Sequence, residues 1–340
     1  MKNTIKTVSY IALAIMLAGC AKAVAEGPNT ANKRYLDAWL ELNHPGIKPV
    51  GLGIYVLEDE PGTGIEVKEG GYAFAEYTIT DLEGNISSYT NKETAKQLGV
   101  YDTTTYYGPK VISTIENTIQ AGLSEVLVGM KAGGRKKVII PSWLMTYSVY
   151  DSPEDYINKT SSGANTVYDI TVTDFTDSIN KYEIAEIEKY IKANPAIFND
   201  KMVNDTTGFY YQTIKEGTTT EEFGKDTTIY INYTGKLLNG LVFDTTDEKT
   251  AKDNGLYSAS NSYKPVKIKW GEKYSDLTMG SNSSSVISGF ALTLWHMHAF
   301  EKGVGVFYSP LGYSYNGSGA SIPAYAPLIF EIEIVANPED

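Results

Sequence analysis

The sequence predicts an α+β fold: two tandem domains, each an antiparallel curved sheet wrapped on a short helix, joined by a linker helix. Three observations predict it. The chain repeats itself at a near-constant offset, its apolar residues fall mainly in alternating strand runs, and helical spacing is confined to a few short stretches.

The repeat organises the chain. GIYVLEDEPGTG at Gly53 is matched by GFYYQTIKEGTT at Gly208, 155 positions on. Each is followed by an alternating strand ending in Tyr-Thr, YAFAEYT to Thr78 and TIYINYT to Thr234. A glycine turn follows in each, Glu83-Gly84 and Asn239-Gly240, at an offset of 156. Later, Tyr168 in TVYDITV matches Phe330 in LIFEIEIV at an offset of 162, the drift that loop insertions produce.

The elements justify themselves in turn. Lys33 to Leu42 reads as a helix before the first copy. Tyr182 to Ala193 reads as the linker helix, with Ile184, Ile187 and Ile191 at helical spacing and Pro195 stopping it. In the second copy Ile229, Ile231 and Tyr233 alternate with Tyr230 and Asn232, a half-buried strand. Asn239-Gly240 lies between two apolar runs and predicts a two-residue hairpin turn. Gly289 to Met297 predicts a short amphipathic helix, and Leu328, Phe330, Ile332 and Ile334 a final strand with Glu331 and Glu333 on its wet face. The expected layout is 31–178 for the first domain, 179–205 for the linker helix and 206–340 for the second domain.

The N-terminus carries a different signal. Lys2 and Lys6 precede an apolar run from Val8 to Leu17, and Leu17-Ala18-Gly19-Cys20 follows directly. That is the general form of a secretory signal, and LAGC resembles the lipobox of bacterial lipoproteins. The resemblance implies cleavage after residue 19, a diacylglycerol thioether on Cys20, and a protein lipid-anchored in the cell envelope, outside the cytoplasm, facing the periplasm or on the outer membrane. The small, polar stretch 20–30 is a plausible tether. Cys20 is the one cysteine, so the folded part is expected to have no disulfide. The formal charge of −12 becomes −14 without Lys2 and Lys6, which argues against nucleic-acid binding.

The second copy resembles the FKBP-type peptidyl-prolyl cis-trans isomerases. Four motifs stand in order: YTGKLLNGLVFDTT from Tyr233, VISGF from Val286, SPLGY from Ser309 and IPAYAPLIFEIEIV from Ile322. The resemblance implies an antiparallel sheet curled over a helix, with the ligand between them. It makes Tyr233 and Phe243 pocket walls and Asp244 the carboxylate on the rim. Val286 and Ile287 precede the helix, and the Ile287 backbone N–H would bind a ligand carbonyl. Phe290 would be the pocket floor, where the family often has Trp. Tyr313 would offer a hydroxyl, Ile322 would cover the site and Phe330 would close the back. No cofactor is implied. The partners would be proline-containing polypeptides in the folding of secreted or envelope proteins.

Those residue types suit the chemistry. Rotation about a peptide bond faces a barrier of roughly 18–20 kcal/mol, and the twisted amide is less dipolar than the planar one. An apolar aromatic pocket favours the twisted form, provided a few hydrogen bonds fix the carbonyl. A millionfold gain requires about 8 kcal/mol of such discrimination. His296 and His298 invite a metal reading, but no third ligand stands at a suitable spacing and no metal is expected.

Two features depart from the family pattern. Asp244 and Val286 are 42 positions apart, a longer gap than usual, containing Gly255, Tyr257, Trp270 and a Ser-rich run at 281–285. The first copy keeps Tyr77, Tyr147 and the helix outline in Ala121-Gly122-Leu123. It has Ser87-Ser88 for the Phe-Asp pair and Gln120 for the second member of the Val-Ile pair, and no Ile-Pro loop. Isomerase activity is therefore expected in the second domain only. The alternative is a lipoprotein whose FKBP-like modules bind a peptide, a protein or a glycan without catalysis.

Overall fold

The computed structural model describes residues 27–338; the signal segment, Cys20 and most of the tether lie outside the described residues. Two antiparallel sheets account for the architecture. The first runs in the order β1 (Tyr55–Glu60), β5 (Arg135–Ile140), β6 (Thr166–Thr176), β2 (Tyr72–Thr80), β3 (Ile86–Tyr89), with β4 (Lys110–Ser113) also on β2. The second runs β12 (Ser284–Ser285), β11 (Thr278–Met279), β10 (Val266–Lys269), β8 (Thr228–Leu237), β14 (Leu328–Val335), β13 (Lys302–Phe307), β7 (Phe209–Lys215). On β8 the second sheet also carries β9 (Val242–Thr245).

The copies coincide residue for residue around their longest strands. Thr78 pairs with Tyr89 and Ile79 with Ser88, as Thr234 pairs with Thr245 and Gly235 with Asp244, all at an offset of 156. Ile79 also faces Tyr168, and Gly235 faces Phe330, so the drift to 162 is a loop insertion that leaves the register intact. Alternation alone sets these registers, because a one-residue slip would turn every core side chain to solvent.

Two expectations are corrected, and the long gap after Asp244 is accounted for. The Asn239-Gly240 hairpin is a three-residue loop, 238–240. Leu237 N–H donates to Leu241 O, and Gly240 sits at φ +89° with a bulge beyond it. A left-handed glycine closing a three-residue loop is the next most favoured hairpin after the two-residue form. The helix over 288–295 is not amphipathic: every residue from Gly289 to Leu294 is buried, because β13 and β14 pack on it and the 3-10 turn Tyr274–Asp276 covers it as well. Most of the long gap after Asp244 is common to both copies. The short helix Lys92–Gln97 (α2) recurs as Glu248–Asp253 (α6), and β4 recurs as β10, again at 156. What the second copy adds is the β11–β12 hairpin at the sheet edge.

Each copy is preceded by a helix that covers it. The helix Thr30–Asn43 (α1) buries Leu36 and Leu40 in the first core. The helix Ile179–Ala193 (α5) does more than link: Ile187 is fully buried with Phe198, Tyr210, Val304, Val306 and Ile329 on the outer face of the second sheet. A turn earlier on α5, Glu183 is 2% exposed. Its carboxylate accepts the Ser309 backbone N–H at 2.5 Å and the Ser309 hydroxyl at 2.8 Å. Burial outweighs these two bonds and pushes the Glu183 carboxyl up to about 7. The ionisable group coupled to it is Tyr325, a phenol that stays neutral in this range.

Stability is therefore expected to depend on pH through Glu183. Below the ordinary carboxyl value of 4.5 it is neutral in both states. As pH rises to about 7 the unfolded chain releases its proton first, and the fold loses up to about 3 kcal/mol. Urea unfolding at pH 5 and pH 8 should show the loss in the native chain and a shallower one in Glu183→Gln; equal slopes in the two proteins would refute it.

Candidate active site

The site lies where β8, β9 and β14 meet the N-terminal end of helix Ser288–Trp295 (α7). Along β8 the inward row is Ile229, Ile231, Tyr233, Gly235 and Leu237. The register shift between Gly235 and Lys236 leaves Phe243 unopposed on β9, and its ring turns inward against Phe330, with centroids 5.6 Å apart at 74°. Phe330 is the hub. It meets Phe290 edge-on at 5.0 Å and 87°, stacks on Phe307 at 5.9 Å, and stands 6.1 Å from Tyr233. Tyr233 in turn meets Phe290 edge-on at 5.5 Å. These offset and edge-to-face contacts suit the ring quadrupoles and hold each wall in one orientation.

Two glycines make the box possible. A Cβ on Gly235 would come within 2.5 Å of Phe243 and 2.9 Å of Phe330, so the bare backbone is what lets both rings lie over the strand. On Gly289 a Cβ would lie 2.3 Å from Phe307, so the bare backbone is what lets α7 lie this close to the sheet. That approach brings Val286 and Ile287, the residues just before the helix, half-buried against the same core. Among the described residues no backbone acceptor takes the Ile287 N–H.

The rim is polar. The Tyr233 hydroxyl donates to Asp244 Oδ2 at 2.6 Å. Burial, reinforced by the Asp244 charge, holds the Tyr233 phenol far above its ordinary value, so it remains a donor at any physiological pH. Tyr313, half-buried against the same core, is raised by burial first and by the Asp244 charge second. Ile322 is buried at the tip of the loop after β13, where Ser318 and Ile322 exchange backbone hydrogen bonds. All nine residues expected at the site are thus gathered in the second domain around one aromatic box with a carboxylate and two phenols on its edge.

Residues 219–335, about a third of the chain, match the family model of the FKBP-type peptidyl-prolyl cis-trans isomerases. The second domain is an FKBP domain. Among solved structures, the chain resembles the three FKBP domains of wheat FKBP73 at 14% identity over 83% of this chain and 94% of that one, with a TM-score of 0.30. It resembles FkpA from Escherichia coli at 20% identity, over 46% and 60% of the two chains, with a TM-score of 0.32. A peptidyl-prolyl cis-trans isomerase from Pseudomonas syringae pv. tomato gives 22% identity over 47% and 97%, with a TM-score of 0.32. No curated protein matches the chain.

The first domain repeats the FKBP geometry without its pocket. Ser87 and Ser88 take the places of Phe243 and Asp244 in the same bulged pairing. Ile79 takes the place of Gly235 and packs, half-buried, on the first core beside Tyr77. Where the FKBP domain seats the Phe243 and Phe330 rings over bare backbone, the first domain thus carries a side chain of the strand itself. Tyr168 stands where Phe330 would, 6.4 Å from Tyr77. Gln120 caps helix Ala121–Leu127 (α3) without a side-chain bond, and Tyr147 is 56% exposed.

Sequence reasoning missed Gly235, although its replacement by isoleucine at the matching position was visible in the repeat. It also missed the repeated excursion after β3 and β9. There NKETAKQLGVY from Asn91 matches DEKTAKDNGLY from Asp247 at 156, with Tyr101 stacked on Tyr107 as Tyr257 is on Tyr263. In both excursions a buried threonine, Thr90 or Thr246, accepts the N–H of the pocket tyrosine, Tyr77 or Tyr233. The two histidines serve packing: His296 stacks between Phe209 and Tyr211, and His298 Nδ1 lies 3.1 Å from buried Glu301. Among the described residues no cluster of three metal-ligating side chains occurs.

Gly235→Ala is the sharpest test of the packing. Its methyl group must displace Phe243 or Phe330, with a cost of about 1–3 kcal/mol in chemical denaturation. Unchanged stability would mean that the rings are not seated over the strand.

Proposed function

We propose that the second domain is a peptidyl-prolyl cis-trans isomerase acting on polypeptides outside the cytoplasm, tethered to a membrane through lipid on Cys20. The observation that carries the catalytic part is the closed ring contact of Tyr233, Phe243, Phe290 and Phe330 under an Asp244 carboxylate already held by the Tyr233 hydroxyl.

The residues divide the work. A prolyl ring enters the aromatic box and loses water with it, so the planar, dipolar amide loses more solvation than the twisted one. The Ile287 N–H holds the carbonyl preceding the proline, and Tyr313 offers a second donor from the facing loop. Asp244, oriented by Tyr233, places negative charge beside the rotating C–N group without forming a bond to it. Every contribution is orientation or desolvation, so the catalytic gain comes from binding the twisted amide better than the planar one.

The test is a cis–trans assay on an apolar-X–Pro peptide, beside refolding of a proline-limited protein. The native chain is expected to accelerate both. Asp244→Ala should lower kcat/KM by roughly tenfold, the scale of one charge-assisted hydrogen bond, and Tyr313→Phe by about fivefold. If the native chain accelerates neither reaction, the isomerase reading fails and a non-catalytic binding module takes its place.

The anchor is tested separately. Among the described residues no helix is long and apolar enough to cross a membrane. Cys20→Ala is expected to leave an unprocessed precursor or a product released from the membrane fraction, read by fractionation and by mass after detergent extraction. Membrane retention with an intact Met1 would refute lipidation.

A further inference from the structure

The loop between β13 and β14, residues 308–327, carries Tyr313 and Ile322 of the active site. It is held from outside the second sheet at three separate points. At its start, the Glu183 carboxylate takes both the N–H and the hydroxyl of Ser309, which is itself 1% exposed. At its tip, the backbone N–H of Tyr106 in the first domain donates to Ala320 O at 2.9 Å, two residues before Ile322, and the Tyr106 ring packs on the second core. Near its end, Tyr72 of the first sheet meets the Tyr325 ring edge-on at 5.4 Å and 69°.

The helix α5 joins these contacts into one frame. The Tyr182 ring packs on Phe74 of the first sheet at 4.4 Å, tilted by 31°, and its hydroxyl donates to Asp174 at 3.1 Å. Glu183, the next residue, turns to the second domain and grips Ser309. A rigid helix thus fixes the first sheet and the active-site loop to each other through adjacent side chains.

The first copy shows where this contact came from. Its own preceding helix buries Leu36 where α5 buries Ile187, and Asn32, four residues before Leu36, donates to the Ser142 hydroxyl at 3.2 Å. Ser142 opens the matching 3-10 turn of the first copy, Ser142–Leu144, as Ser309 opens Ser309–Leu311. Both modules therefore bind the start of this loop through the helix before them. Only in the second is the group a carboxylate, which takes both donors of the serine, and only there is the loop also held by another domain.

We propose that Glu183, Tyr72 and Tyr106 are positioning residues for the isomerase site, and that the first domain, which lacks the aromatic box, serves catalysis by holding the 308–327 loop in place. This rests on the isomerase reading above. With the loop held, Tyr313 and Ile322 face Asp244 and Ile287 before a substrate arrives, and less ordering remains to be done on binding.

The test uses the full chain with Glu183→Ala, Tyr72→Ala, the double variant and Glu183→Gln, which keeps an acceptor for the Ser309 N–H. Two readouts are taken: amide hydrogen exchange over residues 309–322, and kcat and KM on the X–Pro peptide. Glu183→Ala and Tyr72→Ala are each expected to speed loop exchange at least threefold while β8 and β14 stay protected. Each should lower kcat/KM at least threefold, the double variant more than either, and Glu183→Gln should recover most of both. A native chain that isomerises, with variants that keep both loop protection and rate, overturns this inference alone. Lost activity with unchanged loop exchange, or with no recovery in Glu183→Gln, also overturns it. A native chain without isomerase activity overturns the isomerase reading and the catalytic half of this one, while loop exchange still decides whether the contacts hold the loop.

Discussion

Phe330 of β14 lies opposite Gly235 of β8, and the site depends on that one pairing. The strand register puts the aromatic hub over the one position on β8 without a side chain, so Phe243 can close from the neighbouring strand and Phe290 from the helix. A shift of a single residue would exchange the inner and outer faces of β8 and β14 together and scatter the box. The long alternation of both strands, with Glu331 and Glu333 on the wet face, makes that shift costly. Pocket and sheet are therefore specified by the same pattern, and an FKBP domain can lose its pocket only by changing side chains within an unaltered register.

The first domain has done so. From Ala75 onward its pairing of β2 with β3 and β6 repeats that of β8 with β9 and β14, yet Ile79, Ser87 and Ser88 replace Gly235, Phe243 and Asp244. Isoleucine in place of glycine at that point adds buried apolar surface, which favours folding, and leaves no bare backbone over which two aromatic rings could lie. Two serines in place of Phe and Asp give up the wall and the charge.

Much of this was legible in the sequence, for physical reasons. Alternation, glycine turns and a repeat offset of 155–156 are local and periodic, so the strands, the two domains and the helices before them could be read directly. The nine candidate site residues could be named because they sit in four short ordered motifs. The rest depends on contacts between distant residues. Nothing near Glu183 in sequence marks it as a ligand of Ser309, 126 positions away, and the amphipathic pattern of α5 gives its buried face without saying which sheet it faces. The three-residue hairpin was misread because Asn-Gly favours the shorter turn, while the strand register demanded one more residue. The common origin of the excursion after β9 was masked by its length relative to the family, although its match to residues 91–109 was present at the same offset.

The way the domains meet follows from the same duplication. Each module comes with a helix that covers the outer face of its own sheet, so a second module placed after the first must bring α5 between the two sheets. A helix so placed touches both sheets, and the polar residues on its buried stripe must find partners on one side or the other. Tyr182 finds Asp174 in the first sheet, and Glu183 finds Ser309 in the second. A buried carboxylate is costly unless it is bonded, and Ser309 offers two donors at the point where the active-site loop leaves β13. Burying one helix between two copies of a fold thus forces a polar contact onto the loop that carries Tyr313. The joint between the domains and the edge of the pocket are, in this chain, the same few residues.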